Sequence, residues 1–221
     1  FMNKKKIIFT IKENTKTIFW ALIIAVMIRS LIVQPFYIPS SSMEPTLLVG
    51  DRIFVTKYNY GISKHSFPFS PNVYNKRIFY EEPKQGDLIV FKTPADNRTD
   101  YIKRLIGLPG DIIQFIDGDI YINDKIIKRE KYLGSMTARC GKVSFNVNSY
   151  EETLPNGVKH IAVYNSEGTL QNSRKFVVPK DHFFLLGDNR DCSRDSRYLD
   201  SVGYVNYLNL VGKAKIIFFS N

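Results

Sequence analysis

Ile18 to Ile28 reads IFWALIIAVMI, eleven apolar residues without a break, and no other stretch of the chain is as long and as apolar. Arg29 and Ser30 interrupt the run, and Leu31, Ile32 and Val33 extend it. A helix from Thr17 to Val33, rising ~1.5 Å per residue, covers ~25 Å of a ~30 Å hydrocarbon layer. Arg29 lies near its far end, where a long side chain snorkels to the headgroups. Five lysines (Lys4, Lys5, Lys6, Lys12 and Lys16) precede the run, and no Lys or Arg occurs between Ser30 and Asp51. The positive-inside rule then puts the N-terminus in the cytoplasm and everything after Val33 across the membrane. A cleavable signal peptide needs small residues after its apolar run, whereas Arg29-Ser30 is followed by Gln34-Pro35-Phe36-Tyr37. A buried soluble helix is opposed by the flanking lysines.

The chain carries 31 Lys and Arg against 21 Asp and Glu, a formal charge of +10. Such a surplus suits nucleic acid or an anionic membrane surface. The excess crowds the N-terminus, while charges in the body alternate in sign. With no basic helix interleaved with aromatics and no zinc-finger spacing, the expected partner is the lipid bilayer, not nucleic acid. A hydrophobic share of 44% with 24% charged residues excludes a disordered chain and a multi-span membrane protein. Cys140 and Cys192 form either one bridge or two unlinked thiols, and exclude a disulfide-dense scaffold.

Beyond the anchor the sequence reads as strand. Segments starting at Asp51, Gly86, Gly110, Asp119, Phe183 and Lys213 are short, rich in β-branched or aromatic residues, and mostly begin at Gly or Asp turns. Phe115-Ile-Asp-Gly-Asp-Ile-Tyr-Ile predicts a hairpin with an Asp117-Gly118 turn. The stretch from about Glu130 to Lys175 is more polar and reads as a β-rich insertion or long loops. The expected organisation is a basic cytoplasmic tail (1–16), a transmembrane anchor (17–34), a mainly antiparallel β core (35–111 and 180–221) and an inserted β subdomain (112–179).

Three segments hold residues able to do chemistry. Ser40, Ser41 and Ser42 stand between Pro39 and Pro45 beside apolar Ile38, Met43 and Leu47, a stiffened loop presenting a small nucleophile. A serine needs a base, and none of His65, His160 and His182 lies in a recognisable catalytic motif. Lysine serves when burial makes its amine neutral. In Tyr101-Ile-Lys-Arg-Leu, strand alternation puts Lys103 on the face of Tyr101 and Leu105, opposite Ile102 and Arg104. The third segment, Gly187 to Arg197, alternates Asp188, Arg190, Asp191, Arg194, Asp195 and Arg197, which suits a salt-bridged loop fixing nearby groups.

Taken in order, these segments resemble the boxes of the bacterial type I signal peptidases (leader peptidases). Ile38-Pro-Ser-Ser-Ser-Met-Glu-Pro-Thr-Leu47 is similar to the nucleophile box. Gly50 to Gly61 and Gly86 to Lys92 are similar to the strand boxes. Tyr101-Ile-Lys-Arg with Gly107-Leu-Pro-Gly-Asp111 resembles the general-base box, and Gly187 to Arg197 the last box. The resemblance implies a mainly β fold with a barrel-like antiparallel catalytic core, Ser42 as nucleophile and Lys103 as general base. It implies an oxyanion hole from the Ser42 backbone N–H and the Ser40 hydroxyl, and a Ser193 hydroxyl orienting Lys103. Asp188, Arg190, Asp195 and Arg197 would brace the site, the last two as an ion pair. Pockets for small substrate residues would use Phe36, Ile38, Met43, Leu47, Val90, Tyr101 and Ile102. The implied reaction removes signal peptides from exported preproteins after an Ala-x-Ala-like motif. No metal or organic cofactor is implied; the implied setting is the bacterial inner membrane beside the export machinery. Cys192 stands where many members have Asn, so no role is carried to it, nor to the insertion. Self-cleaving repressors share the chemistry but have a helix-turn-helix where this chain has its apolar run. An inactive anchored relative would show motif decay, and both Ser42 and Lys103 are present.

Overall fold

The structure, a computed structural model, describes residues 4–220 except 69, 72–75, 133–135 and 166–169, with side chains from residue 12 onward. Helix α1 runs Lys4–Leu31. It therefore starts inside the lysine-rich segment and stops two residues short of the expected Val33. The reason is local: Pro35 disfavours helical geometry at Gln34, and β-branched Val33 favours strand. One stretch of α1, Lys12–Leu31, is long and apolar enough to cross a membrane. Its apolar side chains face outward, with Ile18 60% and Trp20 54% exposed.

Fifteen strands follow among the described residues. They are β1 (Val33–Tyr37), β2 (Arg52–Thr56), β3 (Leu88–Lys92), β4 (Asp100–Gly107), β5 (Ile112–Ile116), β6 (Asp119–Ile122), β7 (Lys125–Ile126) and β8 (Lys128–Lys131). After them come β9 (Met136–Cys140), β10 (Val143–Thr153), β11 (Lys159–Tyr164), β12 (Phe176–Val177), β13 (His182–Leu186), β14 (Val205–Asn206) and β15 (Leu210–Phe219). The main sheet is antiparallel, in the order β1-β2-β15-β3-β4-β13-β14. Register shifts interrupt its β15 and β13 pairings, and such bulges bend a sheet, curling this one into a half-barrel. The β5–β6 hairpin turns at Asp117 and Gly118, whose φ values are +50° and +79°. A two-residue hairpin turn needs that left-handed geometry, and Asp-Gly supplies it.

Part of segment 112–179 packs directly on the main sheet. Ile113, Phe115, Ile120, Ile122 and Leu154 from it share one buried cluster with Ile106, Phe184 and Leu186 of the main sheet. Three further ties join it to the loop after β13 and to the turn at Ser42. Cys140 is disulfide-bonded to Cys192 across 52 positions, closing the question left open by the sequence. Arg139 N–H donates to the buried Glu44 carboxylate at 2.8 Å. Arg190 grips both oxygens of Glu152 at 2.8 and 2.7 Å, each side chain about 1% exposed.

A buried pair of this kind resists the loss of one partner more than an exposed pair, because the remaining charge has no water to turn to. Glu152→Gln is expected to lower unfolding free energy by about 3–5 kcal/mol. Lys175→Gln, at the exposed pair with Asp124, is expected to leave it unchanged. Guanidinium unfolding of the detergent-solubilised chain measures both, and equal effects would refute the tie.

Candidate active site

Pro39 and Pro45 bracket a tight turn in which Ser41–Met43 form one turn of 3-10 helix. Ser42 is buried there, and β4 carries Lys103 to it from the middle of the main sheet. Lys103 Nζ lies 2.5 Å from Ser42 Oγ, with the lysine 3% exposed. The Tyr101 ring centre stands 5.5 Å from the amine, and Tyr101 and Leu105 share a cluster on that face, as strand alternation predicts. Burial pulls the Lys103 pKa down from 10.5 to about 8, Asp195 and Asp188 pulling the other way. Among the described residues no carboxylate bonds to the amine. A carboxylate there would hold it protonated.

The two nearby carboxylates are committed elsewhere. Asp188 accepts from Arg104 Nε at 2.8 Å and Nη2 at 2.6 Å, and from Thr46 Oγ1 at 2.5 Å. Asp195 accepts from Arg197 Nε at 2.8 Å and Nη2 at 2.9 Å, and from Gly187 N–H at 3.1 Å. Both carboxyls are held below the usual range against burial, by Arg104 and Arg197 respectively. The Asp195–Arg197 pair is thus the one the sequence suggested. The loop also reaches outward: Asp188 pairs with Arg104 on β4, and Arg190 with Glu152 on β10. Their partners lie 84 and 38 positions away, beyond the reach of local charge alternation.

The expected bond from Ser193 to the Lys103 amine is not formed. Among the described residues the Ser193 hydroxyl is buried with no hydrogen-bond partner in good geometry, and the carboxylate it stands beside is that of Asp195. Ser40 Oγ is 3.4 Å from Ser42 Oγ, at the mouth of the turn. Two residues of the last box that sequence reasoning passed over hold this turn. Asn189 donates its N–H to the Ser42 carbonyl at 3.2 Å and its side-chain amide to the Ser41 carbonyl at 3.1 Å. At Gly187 a Cβ would fall 2.2 Å from Ser193 Oγ and 2.5 Å from the Ser42 carbonyl oxygen, so only glycine lets the two loops close. Both sit in the Gly-Asp-Asn-Arg run, but nothing in their own chemistry marks them.

A groove of about 490 Å³ opens over Ser42 and Lys103, walled by Phe36, Ile38, Ser40, Val90, Tyr101 and Ile102. Cys192 and Arg194 form part of its rim. Met43 and Leu47, expected on its wall, lie instead in the cluster beneath, 0% and 2% exposed, packed with Ile53 and Val55. The 3-10 turn points Met43 inward while it points Ser42 at Lys103, and Leu47, beyond the turn, is buried in the same cluster.

The sequence matches the family described as signal peptidase, peptidase S26, over residues 11–219. It is 42% identical to the signal peptidase I of Rickettsia typhi, an alignment covering 96% of this chain and 81% of that protein. The signal peptidase I of Rickettsia akari is 43% identical, with 96% and 80% covered. A solved signal peptidase I from Enterococcus faecalis is 29% identical, with a TM-score of 0.38 over 61% of this chain and 98% of that one. A family match running from α1 to the last strand, with relatives aligned along four-fifths of their length, makes this chain a member of the signal peptidase family of serine peptidases, S26.

Proposed function

We propose that the chain removes signal peptides from exported preproteins, with Ser42 as nucleophile and Lys103 as general base. The observation that carries this reading is the buried contact between Ser42 Oγ and Lys103 Nζ, free of any carboxylate. A neutral Lys103 takes the Ser42 proton as Oγ attacks the scissile carbonyl. The Ser42 N–H and Ser40 hydroxyl donate to the oxyanion, and Lys103 returns the proton to the departing amine. Water, deprotonated in turn by Lys103, hydrolyses the ester. Asp188, Arg190, Asp195 and Arg197 brace these groups, and Ser193 walls the site without bonding to the amine.

The apolar groove accommodates a substrate in extended form, added as a strand, with small side chains in the shallow pockets beside Phe36, Ile38, Val90, Tyr101 and Ile102. An Ala-x-Ala-like ending meets that shape. We place the N-terminus in the cytoplasm and the β body beyond the inner membrane, beside the export machinery. The lysines before α1 support this orientation, and so does the Cys140–Cys192 disulfide, since such bonds persist outside the reducing cytoplasm.

Cleavage of a labelled preprotein peptide by the purified chain tests the roles. Ser42→Ala and Lys103→Met are each expected to lose at least about 10²–10⁴-fold in kcat/KM, and the double variant no more than either alone. Lys103→Arg is expected to be equally inactive, because a guanidinium stays charged; retained activity in that variant sinks the base assignment.

Two pH experiments follow from the pKa of about 8 for Lys103. The reacting form is the neutral amine, so kcat/KM is expected to rise with pH and level off above about 8. A rate that falls as the pH climbs toward about 8 overturns the mechanism. Stability has its own signature. Below pH 8 the folded chain buries a charged amine, and the drop from 10.5 to about 8 corresponds to a penalty of about 3 kcal/mol. Between the two values the unfolded chain binds the extra proton, so stability rises with pH until the penalty vanishes near 10.5. Lys103→Met is therefore expected to melt higher than wild type at pH 7, with the gap closing as the pH climbs.

A further inference from the structure

A second cavity, of about 580 Å³, lies at the end of the main sheet where the chain leaves α1. Arg29 from the last turn of α1, Lys57 after β2, Lys92 at the end of β3 and Arg98 line it, with Asp96 and Asp100 as the only carboxylates among the described lining residues. Four cations against two carboxylates leave two positive charges over. Both carboxylates are already engaged. Asp100 pairs with Lys92 at 2.9 Å, and Asp96 accepts from the Arg98 and Thr99 N–H groups at 2.8 and 3.0 Å.

Lys57 is the informative member. It is 3% exposed, yet among the described residues it has no carboxylate partner. Its amine donates to the Ser66 carbonyl at 2.7 Å and, more loosely, to the His65 carbonyl at 3.4 Å. An ammonium has three donors, so one is left for an acceptor in the cavity. Burial first, and then the nearby Arg29, push its pKa down to about 8 against the pull of Asp100. Burying an unpaired charge is costly, and an anion seated between Lys57, Arg29 and Arg98 removes that cost.

We infer that this cavity binds the phosphodiester headgroup of an anionic phospholipid. Its position selects that source. Arg29 lies two residues before the end of the span, so its guanidinium and the cavity mouth sit at the level of the headgroups. The inference rests on α1 spanning a bilayer but not on the Ser42–Lys103 reaction. The cavity adjoins the substrate groove, sharing Phe36 and Asp100 as lining, so a bound headgroup fixes the groove at a set height above the membrane.

The test uses the full chain in nonionic detergent at low salt, with a fluorescent short-chain phosphatidylglycerol as probe. Unlabelled phosphatidylcholine and inorganic phosphate serve as competitors. Wild type is expected to bind a single probe that neither competitor displaces at equal concentration. Lys57→Met and Arg98→Gln are each expected to weaken binding about five-fold, while peptide cleavage in lipid-free detergent stays at the wild-type level and shows that the variants are folded. Arg98 is exposed, so its replacement reads the site even where Lys57→Met destabilises the chain. Equal binding by wild type and Arg98→Gln overturns the inference. Displacement by phosphatidylcholine overturns its anionic character, and displacement by inorganic phosphate overturns the lipid source. Because binding is read without turnover, a chain that fails to cleave still reports on the cavity.

Discussion

The desolvated amine of Lys103 is the constraint around which the site is arranged. Taking a lysine out of water lowers its pKa, and any carboxylate allowed to touch it would raise it again. Negative charge is nonetheless present in the same interior, on Asp188 and Asp195. The structure reconciles these demands by giving each aspartate a bidentate arginine, Arg104 for one and Arg197 for the other. The carboxylates then serve as fixed acceptors for Thr46 and for the Gly187 N–H without capturing the lysine. Arg104 is the immediate neighbour of Lys103 on β4, so strand alternation itself separates the group that neutralises Asp188 from the group that must stay neutral.

The loop after β13 does most of the positioning, and it does so by reaching outward. Its three buried ion pairs run to β4, to β10 and within the loop, while its Cys192 is bonded to β9. Buried pairs of this kind cost desolvation and add little net stability over a well-packed apolar core. What they supply is register: each charge tolerates one partner at one place. Asn189 and Gly187 complete the arrangement by hydrogen-bonding the Ser41–Ser42 backbone and by letting it approach within the radius of a missing Cβ. The insertion therefore belongs to the site through Glu152, Arg139 and Cys140, although none of its described residues lines the groove.

Period and turn chemistry made part of this legible in the sequence. Lys103 could be placed on the Tyr101 and Leu105 face because period-2 alternation is a property of any strand, and the Asp117-Gly118 hairpin because few other residue pairs adopt that turn. The pairings of Asp188 and Arg190 were not legible. A charge names the kind of partner it needs but not which of 31 cations or 21 anions the fold will bring. Glu152 was hidden for the same reason, in a polar stretch that reads as a β-rich insertion or long loops without showing which of its charges β10 and β11 bury. Strand β1 was masked by the apolar run it continues, since Val33 extends the hydrophobicity of α1 while Pro35 already forbids its helix. Met43 and Leu47 were placed on the groove by the family resemblance. A 3-10 turn advances about a third of a circle per residue, so neighbours there do not share a face.

The same junction at Val33 sets the geometry of the proposed reaction. Strand β1 leads from the end of α1 along the groove wall, and five residues at ~3.3 Å each carry it about 17 Å. On the proposed orientation, that length is the span β1 has available between the end of α1 and the groove. A substrate lying extended in the groove must cross the same distance, which takes about as many residues as β1 uses. Cleavage is then confined to bonds a few residues beyond an apolar segment still held in the bilayer. On the proposed reading, side-chain size at the pockets chooses among those few bonds, and the end of α1 decides which bonds are within reach. Position and shape are separate filters, and the first depends on the sheet end keeping its height at the membrane surface.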